Sequence, residues 1–314
     1  MRLWVWRNFR IELPEDWEML QFSRRPRAGR CAFADRYQHR LEMSWRAVAG
    51  QPDIERMMSD YCSKLRIDKQ MEDAAPMSVG PWLGIHGHAG AVLTTRFGRF
   101  FAGESCLVEL VFPWAAGRDK RLEQAVLDSV GEEPERLGRY RRWRSFGMDL
   151  LASKDLGLDG CDVQPALARL TFGDPHSPRR RWESFERMGM TSEWLRTPLA
   201  EWLLARMPKA LEVRSRGSGD VAGHRVETVG GTRPVKGVGR LLGRKDRLDA
   251  AAWLCPADGR LYCATVGGSP SHRAGADAGP GPALPGGRLS CCGEMARAVR
   301  DPSAAAQAGD RQVA

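Results

Sequence analysis

The sequence contains no run of about 18 apolar residues, the length that a membrane-spanning helix requires. Residues 1–10 are interrupted by Arg residues before an apolar segment of signal-peptide length can form. From these two absences we expect a protein with no membrane span that resides in the cytoplasm.

Motifs of catalysis and of metal binding are missing as well. The eight Cys residues form no Cys-x-x-Cys pair, and the adjacent Cys291 and Cys292 lack the spacing of a zinc knuckle. No Gly-x-Ser-x-Gly sequence marks a hydrolase nucleophile. The Gly-rich stretch 237–243 is one residue too long for a dinucleotide fingerprint. We therefore expect no cofactor and no metal site, and we interpret the thiols as small buried side chains in a reducing compartment.

The length and composition of the chain are those of a folded protein with two hydrophobic cores. A chain of 314 residues is too long for one ordinary core and suits two domains of roughly 130 residues each. Its residues are 42% hydrophobic and 28% charged, and its eleven Trp side chains require buried surroundings.

The net charge of +9 raises the question of an anionic partner. The basic residues are scattered in short groups near predicted turns, without the clustered face of a nucleic-acid binder. One group lies in a Gly-rich stretch that we predict to be an inserted loop, 230–247, and its candidate phosphate contacts are Lys236, Arg240, Arg244, Lys245 and Arg247. A solvated basic loop is the first interpretation of this group, and a nucleic-acid or polyanion site is the alternative.

Periodicity in the first half predicts both strands and helices. Alternating apolar residues predict strands at 3–13 and 40–48, and the apolar run 106–112 predicts a central strand. Pro52 and Asp53 mark the start of a helix, and Asp119 can cap a second one. One apolar face of the first helix is formed by Ile54, Met57, Met58, Tyr61 and Leu65.

The opening of the chain recurs in its second half. Stretches 6–14 and 143–151 share Trp-Arg, Phe, an acidic residue and Leu at the same positions. Two further matches follow in the same order: Phe33-x-Asp35 with Phe172-x-Asp174, and Gly87-His88 with Gly223-His224. This order predicts a tandem duplication, with modules at 1–137 and 138–266 and a Gly-, Ala- and Pro-rich disordered tail at 267–314.

The two matched histidines are the candidate polar-site residues. His86 and His88 point to the same side of a predicted strand, as two metal ligands could, but no third ligand with suitable spacing accompanies them. The second module keeps only His224. We therefore interpret His88 and His224 as structural or hydrogen-bonding residues, with a hydrolase site as the alternative.

The motif Phe9-x-Ile11-x-Leu13-Pro14-x-x-Trp17, followed by strands, an amphipathic helix, a hairpin and a closing helix, resembles the PsbP/DcrB-like family of small α/β sandwich proteins. The likeness covers about 130 residues of each module. It implies a non-catalytic accessory or binding protein and carries over no functional residue.

Together these features predict an α+β protein of two modules, each an antiparallel sheet covered by helices. The function that we expect is that of a non-enzymatic binding or adaptor protein whose partner is another protein.

Overall fold

A computed structural model describes residues 1–25, 27–71, 73–134, 138–177, 181–221, 223–235, 244–268 and 289–291. The chain divides into two units, 1–134 and 135–314. No helix among these residues has both the length and the apolar character required to cross a membrane.

The first unit consists mainly of antiparallel strands. Its strands are β1 (Arg2–Trp6), β2 (Phe9–Leu13), β3 (Glu18–Phe22), β4 (Ala28–Ala34), β5 (His39–Ala47), β6 (Ala75–Val79), β7 (Trp82–Ala89), β8 (Val92–Phe101), β9 (Cys106–Trp114) and β10 (Gly131–Glu132). Its helices are α1 (Ile54–Ile67) and α2 (Lys120–Ser129). Seven strands form one sheet in the order β3-β4-β5-β9-β8-β7-β6. Strands β1 and β2 form a hairpin, and β10 pairs with β2.

Aromatic side chains of the β1–β2 hairpin cover the seven-stranded sheet of the first unit. The ring of Trp4 meets that of Phe33 on β4 with centroids 5.5 Å apart, and Phe9 meets Phe101 on β8 at 5.4 Å. All four side chains are buried. Alternating burial along β9 follows the two-residue period of a strand with one face in the core. The core of this unit therefore lies largely between strands.

The second unit repeats this arrangement of strands. Its strands are β11 (Tyr140–Ser145), β12 (Met148–Ser153), β13 (Gly157–Gln164), β14 (Leu167–Gly173), β15 (Arg181–Met188), β16 (Glu212–Val221), β17 (His224–Pro234), β18 (Lys245–Leu254), β19 (Leu261–Gly268) and β20 (Leu289–Ser290). Its helices are α3 (Thr191–Trp194) and α4 (Leu199–Ala205). The seven-stranded sheet has the order β13-β14-β15-β19-β18-β17-β16, which is the order of the first unit. Strands β11 and β12 form a hairpin, and β20 pairs with β12.

The expected α+β class, with sheets covered by helices, is wrong. Strands account for 56% of the described residues and helices for 14%. The helices are short, and α1 buries only Cys62 and Leu65 while Met57 on its predicted apolar face is 44% exposed. The sequence pattern also predicts too few strand residues, because polar, Gly-rich strands such as β16 are solvent-exposed and show no alternation of apolar residues.

The predicted modules are 1–137 and 138–266, and the boundary between them lies three residues from that between the two units, 134/135. The shared strand order is what a tandem duplication requires, and the duplication itself stays a prediction. Most of the predicted tail, 267–314, lies outside the described residues. Within that range Leu289 and Ser290 form β20, where they pair with Leu150 and Asp149 of β12.

Asp35, in the turn between β4 and β5, supports a prediction about pH. Its Oδ1 accepts hydrogen bonds from the backbone N–H groups of Tyr37 and Gln38, both at 2.7 Å, and its Oδ2 accepts one from Arg40 Nε at 2.6 Å. Burial raises the pKa of this carboxyl, but these donors outweigh burial and hold the pKa below its ordinary value. The carboxylate is therefore favoured in the folded protein.

Replacing Asp35 with Asn should lower stability at neutral pH, because Asn offers the turn no negative charge. A lowered folded-state pKa contributes stability above the unfolded value, about 3.9, and this contribution is lost as pH falls through the folded value. Urea unfolding of both proteins from pH 7 to pH 3 measures the difference. We expect a constant gap above about pH 5 that closes at lower pH. A gap independent of pH would contradict the role of the charge.

Candidate functional site

Two tryptophans stand at the surface of the second unit, one on each of its short helices. Trp194 on α3 is 38% exposed, and its ring centroid lies 5.9 Å from that of the half-buried Trp202 on α4, at an interplanar angle of 42°. Trp194 Nε1 donates a hydrogen bond to the carbonyl of Gly189 at 2.9 Å. The Arg206 guanidinium lies 4.9 Å from the centre of the Trp202 ring. We call Trp194, Trp202 and Arg206 the tryptophan patch.

Met190 leads into α3 and has an unfavourable backbone conformation. It occupies the N-cap position with φ 54° and ψ 36°, in the left-handed region, and its side chain makes no capping hydrogen bond. This conformation costs a residue with a Cβ about 1–2 kcal/mol. Its side chain is nevertheless 66% exposed. The unfavourable backbone conformation and the exposed apolar side chain make Met190 a candidate contact residue.

A second cluster in this unit brings one imidazole and two thiols together. His224 Nε2 lies 3.4 Å from Cys255 Sγ and 3.2 Å from Cys291 Sγ. The three ligand atoms all lie within 4.8 Å of one another. His224 and Cys255 are buried, and Cys291 is half-buried. We call these three residues the His–Cys cluster.

Sheet pairing explains how the His–Cys cluster is assembled. His224 is the first residue of β17, and Cys255 directly follows β18. These strands are antiparallel with Val226 opposite Trp253, so the start of β17 lies beside the end of β18. Cys291 directly follows β20. It lies so far along the chain from the other two residues that no spacing motif predicts the cluster.

Hydrogen-bond donors surround both sulfurs. Trp253 Nε1 lies 3.4 Å from Cys291 Sγ, and the Trp253 ring stacks on Tyr262 with centroids 5.7 Å apart. Burial raises the pKa of the Cys255 thiol, while backbone N–H groups of the 255–260 turn act in the opposite direction. The same turn is tied to α3, because Thr191 Oγ1 donates a hydrogen bond to the carbonyl of Gly259 at 2.8 Å.

The two predicted polar-site histidines have different surroundings. His88, near the end of β7, is exposed, and its Nδ1 lies 2.7 Å from Asp73 Oδ2. His224 is buried in the His–Cys cluster. The strand order places β17 where the first unit has β7, and His224 is the first residue of its strand as Trp82 is of β7. The match of Gly87-His88 with Gly223-His224 therefore does not join equivalent positions.

The described residues of the predicted basic loop, 230–235 and 244–247, are mostly strand. Residues 230–234 belong to β17 and residues 245–247 to β18, whereas Lys236 and Arg240 lie outside the described residues. Arg244 lies directly before β18, and its carbonyl accepts the Val235 N–H at 3.1 Å.

The basic side chains of β18 contact carboxylates. Lys245 Nζ lies 2.8 Å from Glu212 Oε2, and Arg247 Nε lies 2.9 Å from Asp249 Oδ2. These two cations are partly neutralised within their own sheet, so the geometry does not favour a polyanion site here. Binding of nucleic acid stays a prediction.

The first unit carries an open depression of about 630 Å³ beside the β3–β4 hairpin. Its charged lining residues are Arg25 and Arg30. Neither His88 nor a carboxylate lines it, so it lacks the convergent acid, base and nucleophile of a hydrolase pocket.

Comparison with protein families finds no match, and comparison with curated proteins finds none. Solved structures match at low similarity. The apo immunity protein TplEi of T6SS from Pseudomonas aeruginosa is 11% identical over 90% of each chain, with a TM-score of 0.36. The same protein complexed with an "L" peptide is 9% identical over 91% of this chain and 95% of that chain, with a TM-score of 0.32.

A protein from Bacteroides thetaiotaomicron is 13% identical, with a TM-score of 0.28. The match covers 46% of this chain and 50% of that protein, so the chain spans half of its length. Similarities at this level define neither a family nor a function, and the resemblance to the PsbP/DcrB-like family stays a prediction.

Proposed function

We propose that this chain is a cytoplasmic, non-enzymatic protein that binds another protein, with the tryptophan patch as its docking surface. The observation that carries the proposal is the pair of indole rings formed by the exposed Trp194 and the half-buried Trp202, whose centroids lie 5.9 Å apart. Trp and Arg are the residue types that dominate binding energy at protein interfaces, and Met is enriched there. The partner should place an apolar side chain against the two indole rings.

A hydrolase is the rival function, and the His–Cys cluster is the place to look for one. A cysteine nucleophile must reach its substrate and form a thiolate. Cys255 is only 1% exposed, and burial raises the pKa of its thiol. Cys291 is more accessible, but its sulfur faces the Trp253 indole as well as the imidazole. The surroundings of these thiols support a binding role over nucleophilic catalysis.

Replacing Trp194 with Ala should weaken partner binding by about 30-fold or more, because an interface tryptophan commonly contributes about 2 kcal/mol. Affinity capture from the native cell with mass spectrometry identifies the partner, and titration with the purified partner measures the loss. Tyr37→Ala is the control, because Tyr37 is an 84% exposed aromatic of the first unit.

Met190→Asn is a second variant that separates binding from folding. Asn tolerates the left-handed conformation better than Met, so the variant should be as stable as the original protein or more so. It also removes the exposed apolar side chain, which should weaken partner binding. If both variants bound the partner at full strength, the docking surface would lie elsewhere. If capture yielded no protein but a small molecule that is turned over, the binding-protein proposal would fail.

A further inference from the structure

The geometry points to a metal site at the His–Cys cluster, with Zn²⁺ bound by His224 Nε2, Cys255 Sγ and Cys291 Sγ. Zinc bonds of about 2.0–2.1 Å to nitrogen and 2.3 Å to sulfur place tetrahedral N and S ligands about 3.6 Å apart. The two N···S distances are 3.4 and 3.2 Å, so a small outward movement of the sulfurs would admit the ion. All three ligand atoms already lie within 4.8 Å of one another.

The donor set defines the class of ion. Two thiolates and one imidazole suit a borderline-soft transition metal, whereas Ca²⁺ and Mg²⁺ require oxygen ligands. Zinc is the ion that proteins hold most often with a mixture of Cys and His, and three protein ligands leave one tetrahedral position for a further donor. The inference is independent of the proposed protein-binding function, because it uses none of the residues of the tryptophan patch.

The surroundings of the ligands are also those of a zinc site. Metal thiolates are oriented and stabilised by N–H donors, whose loss commonly weakens binding 10- to 100-fold. The Trp253 indole N–H lies 3.4 Å from Cys291 Sγ, and stacking on Tyr262 fixes the indole ring. Backbone N–H groups of Ala257 and Asp258 contact Cys255. Each sulfur therefore has its own donor besides His224.

The ion would have a structural consequence within the second unit. Among the described residues, strand β20 is joined to β12 through two residue pairs. Cys291 follows it directly, whereas His224 and Cys255 belong to the adjoining ends of β17 and β18. A bound ion would thus fasten the segment 289–291 to the seven-stranded sheet, and its binding free energy would add to the stability of the folded unit.

The test uses the full chain, purified under reducing conditions and incubated with Zn²⁺ or with Co²⁺. We expect about one ion per chain by elemental analysis, and a cobalt spectrum with thiolate charge-transfer and tetrahedral ligand-field bands. Cys291→Ser should weaken binding by more than about 100-fold, which exceeds the loss of a surrounding donor. Cys161→Ser is the matched control, because Cys161 is also half-buried in this unit and lies outside the cluster.

Two further variants keep the test independent of misfolding. His224→Cys supplies a thiolate from the same position and should retain one ion while changing the charge-transfer spectrum. Trp253→Phe keeps an aromatic ring but removes the N–H, and should weaken binding about 10- to 100-fold. Circular dichroism checks that each variant is folded.

Three results would overturn the metal assignment. The first is a folded, reduced protein that takes up neither ion. The second is metal uptake that is unchanged in Cys291→Ser. The third is a Cys255–Cys291 disulfide, found by mass spectrometry in protein taken from the reducing cytoplasm, since oxidation removes both thiolates.

Discussion

Replacing Phe172 with Ala should lower the free energy of unfolding of the second unit by about 3–5 kcal/mol. Phe172 is fully buried on β14, where its ring centroid lies 5.2 Å from that of Trp143 and 6.0 Å from that of Phe185. Removing the ring loses its burial and leaves a cavity beneath the β11–β12 hairpin, which rigid aromatic neighbours can fill only in part.

Hydrogen exchange measured segment by segment is the suitable readout, because a chain with two units need not unfold in a single step. Exchange should accelerate in β14 and β15. The matched variant is Phe33→Ala, whose ring lies 5.5 Å from Trp4 in the first unit, and it should have an effect of the same size there. Val163→Ala on the exposed side of β13 should change stability by no more than about 0.5 kcal/mol. If Phe172→Ala lowered the free energy of unfolding by less than about 1 kcal/mol, packing of the β11–β12 hairpin on this ring would not be a main source of stability.

Replacing Glu123 with Ala should destabilise the first unit by a similar amount, about 3–5 kcal/mol, because it leaves a partly buried cation without its counter-charge. The Glu123 side chain on α2 is 2% exposed. Its Oε2 accepts the Thr95 hydroxyl at 2.6 Å, and its carboxylate accepts Arg118 Nε at 3.1 Å. Thr95 in turn accepts the Trp114 indole N–H at 2.9 Å, so one carboxylate anchors a chain of donors.

A double variant tests whether the loss arises from the unpaired charge. Glu123→Ala combined with Arg118→Met removes both charges and should be more stable than Glu123→Ala alone. Urea unfolding of the wild type, both single variants and the double variant gives the coupling energy. If the double variant were as unstable as the sum of the single changes, the ion pair would not be the source of the stability. Gln124→Ala, on the exposed side of α2, is the control.

The β1–β2 and β11–β12 hairpins show how far a sequence match extends. The sequence pairs Trp6 with Trp143, but in the structure it is Trp4 that meets Phe33 as Trp143 meets Phe172. The turns of the two hairpins give the same alignment, because Arg7 and Phe146 both have a left-handed backbone conformation, with φ of 62° and 51°. The sequence match is thus displaced by two residues. Such a shift keeps each side chain on the same face of its strand, which is why the apolar pattern alone could not detect it.

Short sequence patterns correctly predict the starts of the helices in the first unit, because a helix cap depends only on neighbouring residues. Asp53 and Asp119 accept backbone N–H groups at the starts of α1 and α2, as the capping pattern indicates. The turn 255–260 joins β18 to β19 and contains Asp258-Gly259, a sequence typical of hairpin turns. In contrast, the alternation of segment 3–13 predicts one strand, and the segment is a hairpin. Its turn at Arg7 and Asn8 contains neither Gly nor Pro, and the alternation of Val5, Phe9, Ile11 and Leu13 on either side hides the weaker turn signal of Asn8.

The His–Cys cluster depends on contacts between distant parts of the chain, and this is why the sequence does not predict it. His224 and Cys255 become neighbours through the register of β17 and β18, and Cys291 through β20. The tryptophan patch is unpredictable for a different reason. No pattern in the sequence shows that the Trp194 ring remains exposed beside a half-buried Trp202, since tryptophans are usually well buried.

The pairing of β20 with β12 affects how the second unit folds while the chain is being synthesised. Leu150 emerges from the ribosome long before Leu289, its partner in the sheet. The β11–β12 hairpin can form early, but its outer edge must wait until Leu289 and Ser290 have been translated, about 10 s later at an elongation rate of about 15 residues per second. During that interval the edge of β12 is an open template for pairing with other chains. Completion of the second unit is therefore a late event in translation, and nascent chains that stop before residue 289 would expose this edge to aggregation.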